Sequence, residues 1–432
     1  MAKICFTAIS NVFFTKDEFM DSFVEQFANS LIRAGNDVLY IQCNRLIAEP
    51  LSNKCRDRYD EKGIISEIVS FNPDFVITFN NVFPCADFLQ KISCPILLYP
   101  SDQPSFWSDK ETIKKNLDRY FFLIPTKKFQ EKISAAFKPL KSRFIPFGHP
   151  TDMQHIALEQ DIPISFVGSI GNFSKNLVQY LASINEIEDA AEKNKIKVKF
   201  FEAFDKFQTN TMDDFQLETS LKQDVLNNEA ILAITCKKRF EVLSAVTDLG
   251  LKIFGYPPQW PETFQYNYDL LRAFDYSPSI SYKQNLLTYN RSRISLNLPH
   301  GNVGDGFSWR VADILASGSC LLSNPKKDLA DMTNKYIKLP TYESPSEARE
   351  LTVKLLKDEI WRSEIVRACN EMIKDSGRFE HRFADIENAM NIKLHASKED
   401  GRKEGRKEGR KFHFFRYQKI PNNKPPKEKS LF

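Results

Sequence analysis

The chain reads as a doubly wound α/β protein built on parallel sheets, and three observations point there. Short apolar runs recur at intervals filled by helical periodicity, the runs are nearly continuous rather than alternating, and glycine turns close several of them. The first run, Lys3 to Ala8, is followed by Phe19, Phe23, Phe27 and Leu31 at fourfold spacing and then by Val38 to Gln42, a β-α-β opening. Ala34-Gly35-Asn36-Asp37 supplies the helix stop and the turn into the next strand. Phe75 to Phe79 and Pro95 to Tyr99 read as further buried strands, with helices near Ile64 to Ser70 and Cys85 to Lys91. Open parallel sheets bind ligands beyond the carboxyl ends of their strands, where Asn11, Asn80, Asn81 and Asp102 fall.

The pattern restarts at Ile162 to Ser169, a strand running into the turn Gly168-Ser169-Ile170-Gly171-Asn172 and a helix from about Lys175. Between Glu186 and Leu249 the periodicity is mostly helical. Leu251 to Gly255, Arg293 to Asn297 and Cys320 to Ser323 are further strands, each leading to one edge. Residues 346 to 373 read as a helical pair and Glu380 to Leu394 as a last helix. The predicted units are 1–155, 156–378, a C-terminal helix over 379–395 that would cross back to the first unit, and a tail over 396–432.

At 432 residues with 42% hydrophobic and 12% aromatic content, the chain is long enough for sizeable cores. Its net charge of +4 is carried by the tail, where twelve Lys or Arg stand against five Asp or Glu, so the body is slightly acidic. A basic face on the fold is what a nucleic-acid enzyme needs, and that class is disfavoured. The eight cysteines form no C-x-x-C pair, which reads as reduced thiols in a cytoplasmic protein. The start lacks a signal-peptide core, and no stretch has the roughly eighteen apolar residues of a membrane span. In the tail, Asp400-Gly-Arg-Lys recurs twice with Glu in place of Asp, and a glycine in every fourth place disfavours helix. Phe412, Phe414, Phe415 and Tyr417 among Arg410, Lys411, Arg416 and Lys419 suit peripheral contact with an anionic membrane face; an unstructured, solvated tail is the other reading.

The stretch Gly304-Asp305-Gly306-Phe307-Ser308-Trp309-Arg310 up to Gly318 carries the strongest chemical signal. Its glycines let backbone N–H groups approach a ligand, Ser308 is a good N-cap, the following helix points its positive end at the loop, and Gly318 stops it. That combination reads as an anion site for a nucleotide phosphate. Arg310 and Asp313, three apart on the helix, would otherwise form an ion pair worth a few tenths of a kcal/mol.

Several motifs in order resemble the GT-B-fold glycosyltransferases of the group 1 type, especially the branch that includes spore-maturation CgeB-like proteins. They are Phe166-Val167-Gly168-Ser169, Ile253-Phe254-Gly255 with Trp260, Tyr282 to Asn290 leading into Arg293 to Asn297, the Gly304 to Gly318 segment, Tyr342-Glu343-Ser344 and His381-Arg382. The resemblance is strong over 160 to 390 and generic over 1 to 150. It implies two Rossmann-like units facing across a cleft, the second holding a nucleotide diphosphate sugar and the first facing an acceptor glycan, lipid-linked saccharide or protein. The transfer would go to a hydroxyl or amine.

On that footing the donor-site candidates are Gly168, Ser169, Gly171, Gly255, Tyr256, Tyr282, Asn297, Gly306, Phe307, Ser308, Arg310 and Asp313. Gly168 to Gly171, Ser308 and Arg310 would hold the diphosphate; Tyr256 and Trp260 would stack on the base or simply pack. The resemblance gives Asp305 a contact with donor sugar hydroxyls and Asp313 one with the ribose. Asp102 is the first choice of general base for the acceptor and His149 the second; a turn-capping aspartate and a linker-packing histidine are the plain alternatives. No cofactor is implied beyond the co-substrate. No D-x-D motif is present and the six histidines lack zinc-ligand spacing, so no metal is expected. A nucleotide-sugar epimerase on the same architecture and a non-catalytic binding or assembly subunit remain the competing classes.

Overall fold

A computed structural model of the chain describes residues 2–8, 13–14, 18–19, 22–42, 61–82, 86–102, 104, 107, 109–150, 156–171, 173–208, 227–255, 261–275, 281–394 and 412–415. Its strands, in chain order, are β1 (Lys3–Ala8), β2 (Phe13–Phe14), β3 (Glu18–Phe19), β4 (Asp37–Gln42), β5 (Phe75–Phe79), β6 (Ile96–Tyr99), β7 (Tyr120–Ile124), β8 (Ser142–Phe144), β9 (Ile162–Val167), β10 (Leu251–Phe254), β11 (Ser292–Asn297), β12 (Cys320–Ser323) and β13 (Phe412–Phe415). Two parallel sheets contain all of them except the small antiparallel pair β2 and β3. The first runs β13-β4-β1-β5-β6-β7-β8 and the second β10-β9-β11-β12.

The continuous apolar runs are strands covered on both faces: every residue of β5, β6 and β7 is buried. In the first sheet β1 lies between β4 and β5, pairing Phe6 with Tyr40 on one side and with Ile77 on the other. In the second sheet β9 lies between β10 and β11, pairing Ile164 with Leu251 and Ile294. Each sheet therefore grows first to one side of its opening strand and then to the other. The crevice beyond the carboxyl ends at that reversal is where such sheets take ligands.

Helices separate the strands as the periodicity requires. Helix Ser22–Arg33 buries Phe23, Phe27 and Leu31, and it ends in the expected turn, with Gly35 at φ 93° and its N–H on the carbonyl of Ile32. Gly35 is there because that backbone region strains any residue with a Cβ. Helix Phe379–Met390 lays Phe379 and Phe383 on Phe27, with ring centroids 5.4 and 5.8 Å away. Beyond it the carbonyl of Leu394 accepts from Asn36 Nδ2 at 2.6 Å. One apolar cluster runs from Phe6 and Phe27 through Phe147, Trp309 and Phe379 to Ile164, Ile253 and Ile294, so the two sheets share a core. A second cluster covers the other face of the first sheet, and a third joins Tyr180, Phe200 and Ile231 among the helices.

The tail expectation changes in one place. Residues 412–415, read from the sequence as part of an unstructured tail, form β13 and extend the first sheet, Phe412 opposite Val38 and Phe415 opposite Ile41. The open backbone ladder of edge strand β4 accepts an extended segment whatever its helix propensity. The DGRK and EGRK repeats lie outside the described residues. Among the described residues no helix is long and apolar enough to cross a membrane.

Candidate functional site

At the reversal of the second sheet, β9 ends at Val167 and runs into Gly168, and β11 ends at Asn297. Gly168 donates its N–H to Phe254 O at 2.8 Å, which ties the turn to β10. Arg310, in the first turn of helix Trp309–Ala316, lies against this turn: a Cβ on Gly168 would stand only 3.0 Å from Arg310 Nη2. Its guanidinium also sits 5.8 Å from the ring centroid of Phe166 and hydrogen-bonds Tyr289, whose buried hydroxyl is pushed above the usual phenol range by desolvation. The ion pair with Asp313 does not form, and among the described residues Arg310 has no carboxylate partner. A fixed cation thus borders a glycine turn.

Two buried oxygens beside it lack partners. Ser308 holds the N-cap position with extended backbone, but the expected capping hydrogen bond is not made, and its Oγ is buried without a partner. Asn297 is fully buried; Nδ2 donates to Ser323 Oγ at 2.9 Å, while Oδ1 is unpartnered. Leaving such a group unsatisfied costs about 1–3 kcal/mol. A ligand that accepts from Ser308 and donates a hydroxyl to Asn297 removes both penalties. The helix stop is made by Ser317, whose N–H and Oγ both bond Ile314 O, rather than by Gly318.

The loop before the helix is held by Lys326 after β12 and by Thr126 and Lys128 after β7. Gly304 has φ 58°, and its carbonyl accepts from the buried Lys326 Nζ at 2.6 Å. Thr126 Cγ2 fills the place where a Cβ on Gly306 would stand, so this glycine admits a neighbouring element. Asp305 pairs with Lys128 at 3.1 Å and Phe307 is buried in the core. Asp313 is 3.0 Å from His149 Nδ1 and 3.4 Å from Gln26 Nε2. His149 itself is buried, its N–H on Gly377 O and its carbonyl on Phe379 N–H, both at 2.9 Å. The structure therefore gathers Gly168, Asn297, Ser308 and Arg310, and pairs His149 with Asp313 elsewhere on the same helix.

The remaining candidates are dispersed. Ser169 O accepts from Arg239 Nη1 at 2.9 Å, and Gly171, at φ 85°, has Cys236 Sγ where its Cβ would be. Gly255 is buried directly after β10, and Tyr282 is buried at the start of a helix capped by the Ser281 and Gln284 box. Tyr256 and Trp260 lie outside the described residues. In the first sheet Asp102 follows β6. Its carboxylate accepts from Asn80 Nδ2 at 2.7 Å and Ser101 Oγ at 3.1 Å, and burial raises its pKa despite those bonds. Among the described residues no three His, Cys, Asp or Glu gather as for a metal ion.

Sequence reasoning missed Lys326, Lys128, Thr126, Gln26 and Tyr289. Lys326 follows β12 by three residues and was within reach of the strand-end rule. Tyr289 lies within the Tyr282 to Asn290 motif, whereas Lys128, Thr126 and Gln26 reach the site from distant parts of the chain and leave no local signal.

The Glycosyl transferase-like family model matches residues 237–388. That stretch is similar to glycosyl transferases of this family. It contains Asn297, Asp305, Ser308, Arg310 and Asp313, whereas Gly168, Asp102 and His149 lie outside it. No curated protein matches the chain. Among solved structures, sucrose-phosphate synthase from Thermosynechococcus elongatus aligns with TM-score 0.55 at 12% identity, covering 90% of this chain and 98% of that one. HepE from Anabaena, in complex with UDP and glucose, aligns with TM-score 0.52 at 7% identity, covering 90% and 100%. At such identities the likeness is one of fold alone, and it spans both sheets.

Proposed function

We infer that the chain is a glycosyltransferase that moves a sugar from a nucleotide diphosphate sugar to a hydroxyl or amine acceptor. The glycosyltransferase-like stretch and the fold shared with such enzymes support the class. The observation that carries the site is Arg310 lying against the Gly168 turn with the unpartnered Ser308 and Asn297 oxygens beside it. Arg310 neutralises charge on the departing diphosphate, Ser308 Oγ and the helix N-terminus donate to it, and Asn297 Oδ1 takes a donor hydroxyl. Asp102 deprotonates the acceptor, and His149 with Asp313 ties the two units together rather than touching the ribose.

In this reading units 1–155 and 156–378 face across a GT-B cleft, the first acceptor-side and the second donor-side, with 379–395 crossing back. The order of motifs supports the CgeB-like branch and a metal-independent transfer. The buried thiols Cys320 and Cys369 support a reducing, cytoplasmic setting, and the aromatic and basic tail supports contact with an inner membrane face.

A thermal-shift screen against UDP, GDP, dTDP and CMP tests the site. One nucleotide is expected to raise the Tm saturably, and Arg310→Ala to abolish that rise while leaving the Tm of the free protein nearly unchanged. Stabilisation that survives Arg310→Ala removes this residue from the site. Release of the nucleoside diphosphate only when acceptor is present separates transfer from epimerisation.

A further inference from the structure

We propose a second ligand site, for a phosphate-bearing anion, on the edge of the second sheet opposite the donor crevice. A cavity of about 620 Å³ opens there, lined by Gln160, Gly318, Arg362, Arg367, Asn370 and Lys374. Gln160 precedes β9 and Gly318 precedes β12, so the cavity meets the amino ends of these two strands, and β9 meets Arg310 at its carboxyl end. A six-residue strand separates the two places by about 20 Å.

The lining is built for negative charge. Arg362 is 6% exposed, and among the described residues it has no carboxylate partner. Its Nη1 donates to the carbonyls of Leu355 and Leu356, at 2.6 and 3.5 Å, which ends helix Pro345–Lys357 but supplies no counter-ion. A guanidinium withdrawn from water without an anion is costly, and an oxyanion offsets that cost through charge-assisted hydrogen bonds. Arg367 and Lys374 add two more cations on the same helical wall. The one acid among the lining residues, Glu371, pairs with Arg367 at 3.7 Å on the exposed helix face, a contact worth a few tenths of a kcal/mol that leaves the lining net positive. The wall itself is fixed: Gln160 Nε2 holds Gly318 O at 2.6 Å, and Asn370 Nδ2 holds Leu315 O and Ser317 O at 2.8 and 3.0 Å.

Place suggests an effector rather than a substrate. The cavity bridges the linker at Ala157–Gln160 and the helix Glu359–Met372, which continues to Gly377 and so to the backbone of His149. An anion gripping both segments stiffens the connection between the two units.

Calorimetric titration of the full chain with inorganic phosphate and with glycerol phosphate, against potassium chloride of equal ionic strength, tests the site. Saturable binding is expected, retained by Arg310→Ala and weakened about tenfold or more by Arg367→Ala with Lys374→Ala, two exposed changes that leave the fold intact. Tighter binding of the ester than of free phosphate identifies an organic phosphate as the ligand class; equal binding identifies the phosphate group alone. Absence of saturable binding overturns the proposal, as does binding lost with Arg310→Ala or untouched by the double change. Because the readout is phosphate binding and the Arg310→Ala control is separate, failure here leaves the transferase reading standing.

Discussion

Asp102 shows how much one environment settles. Its carboxylate has two hydrogen bonds that favour ionisation, from Asn80 and Ser101, yet desolvation is the larger influence and the pKa rises. Asn80 can face it because Asn80 adopts φ 53°, a left-handed conformation that asparagine tolerates. A base must be ionised, so the rate is expected to fall as pH drops through this raised pKa, above the ordinary carboxylate range. The sign for stability is the reverse: the protonated form suits the folded state, so this contribution is present at low pH and lost as pH rises through the folded pKa. Asp102→Asn is therefore expected to lower kcat by about 10²–10⁴, to remove the acid limb from the residual rate, and not to lower the Tm at pH 7. An unchanged pH–rate profile in that variant would make Asp102 a turn residue only.

The elements are joined through small surfaces whose shape is exacting. Thr126 caps helix Lys127–Phe137 through Oγ1, which accepts from Phe129 N–H at 3.1 Å, and its Cγ2 takes the space over Gly306. Gly306→Ala is expected to destabilise by roughly 1–3 kcal/mol through overpacking. Thr126→Ser keeps the capping oxygen, removes Cγ2, and should recover most of that loss in the double variant. Urea unfolding of the four proteins measures the coupling; simple additivity would mean that the loop, and not Thr126, bears the strain. Such pairings explain what the sequence could not reveal. The strands of the second sheet, the turn at Gly35, and the cluster of Gly168, Ser308 and Arg310 follow from local runs and local chemistry. Strand β7 carries the same continuous apolar signature as its neighbours, whereas β8, only partly buried, does not. Thr126 and Lys128 meet the Gly304 loop from nearly two hundred residues away, and nothing near either segment announces the meeting. The helix ion pair that stood as the alternative to ligand contact for Arg310 and Asp313 does not form, for the same reason: His149 and Gln26, both distant, take the aspartate, and the Gly168 turn takes the arginine.

The two sheets are coupled chiefly by aromatic side chains, and that governs how the whole chain unfolds. Phe23 stacks on Trp309 with centroids 4.7 Å apart, Phe147 meets both rings edge-on at 5.3 and 5.9 Å, and Phe379 closes the group on Phe27 at 5.4 Å. These residues come from the first sheet's helix Ser22–Arg33, the segment after β8, helix Trp309–Ala316 and the last helix, so loosening any one exposes apolar surface on both sheets. The polar ties beside them are weaker: Lys127–Asp331 and Lys128–Asp305 are partly exposed and each contributes up to about 1 kcal/mol. Apolar coupling of this extent predicts one calorimetric transition for the described body, with calorimetric and van't Hoff enthalpies close to each other, where separable units would give two. Phe23→Ala is expected to cost about 3–5 kcal/mol and to widen or split that transition, because it removes the ring that touches Trp309 and Phe147 together. Lys128→Ala is expected to leave the transition single and shift it little. Two well-separated transitions in the unaltered protein would show that the aromatic group packs without coupling, and that the two sheets unfold independently.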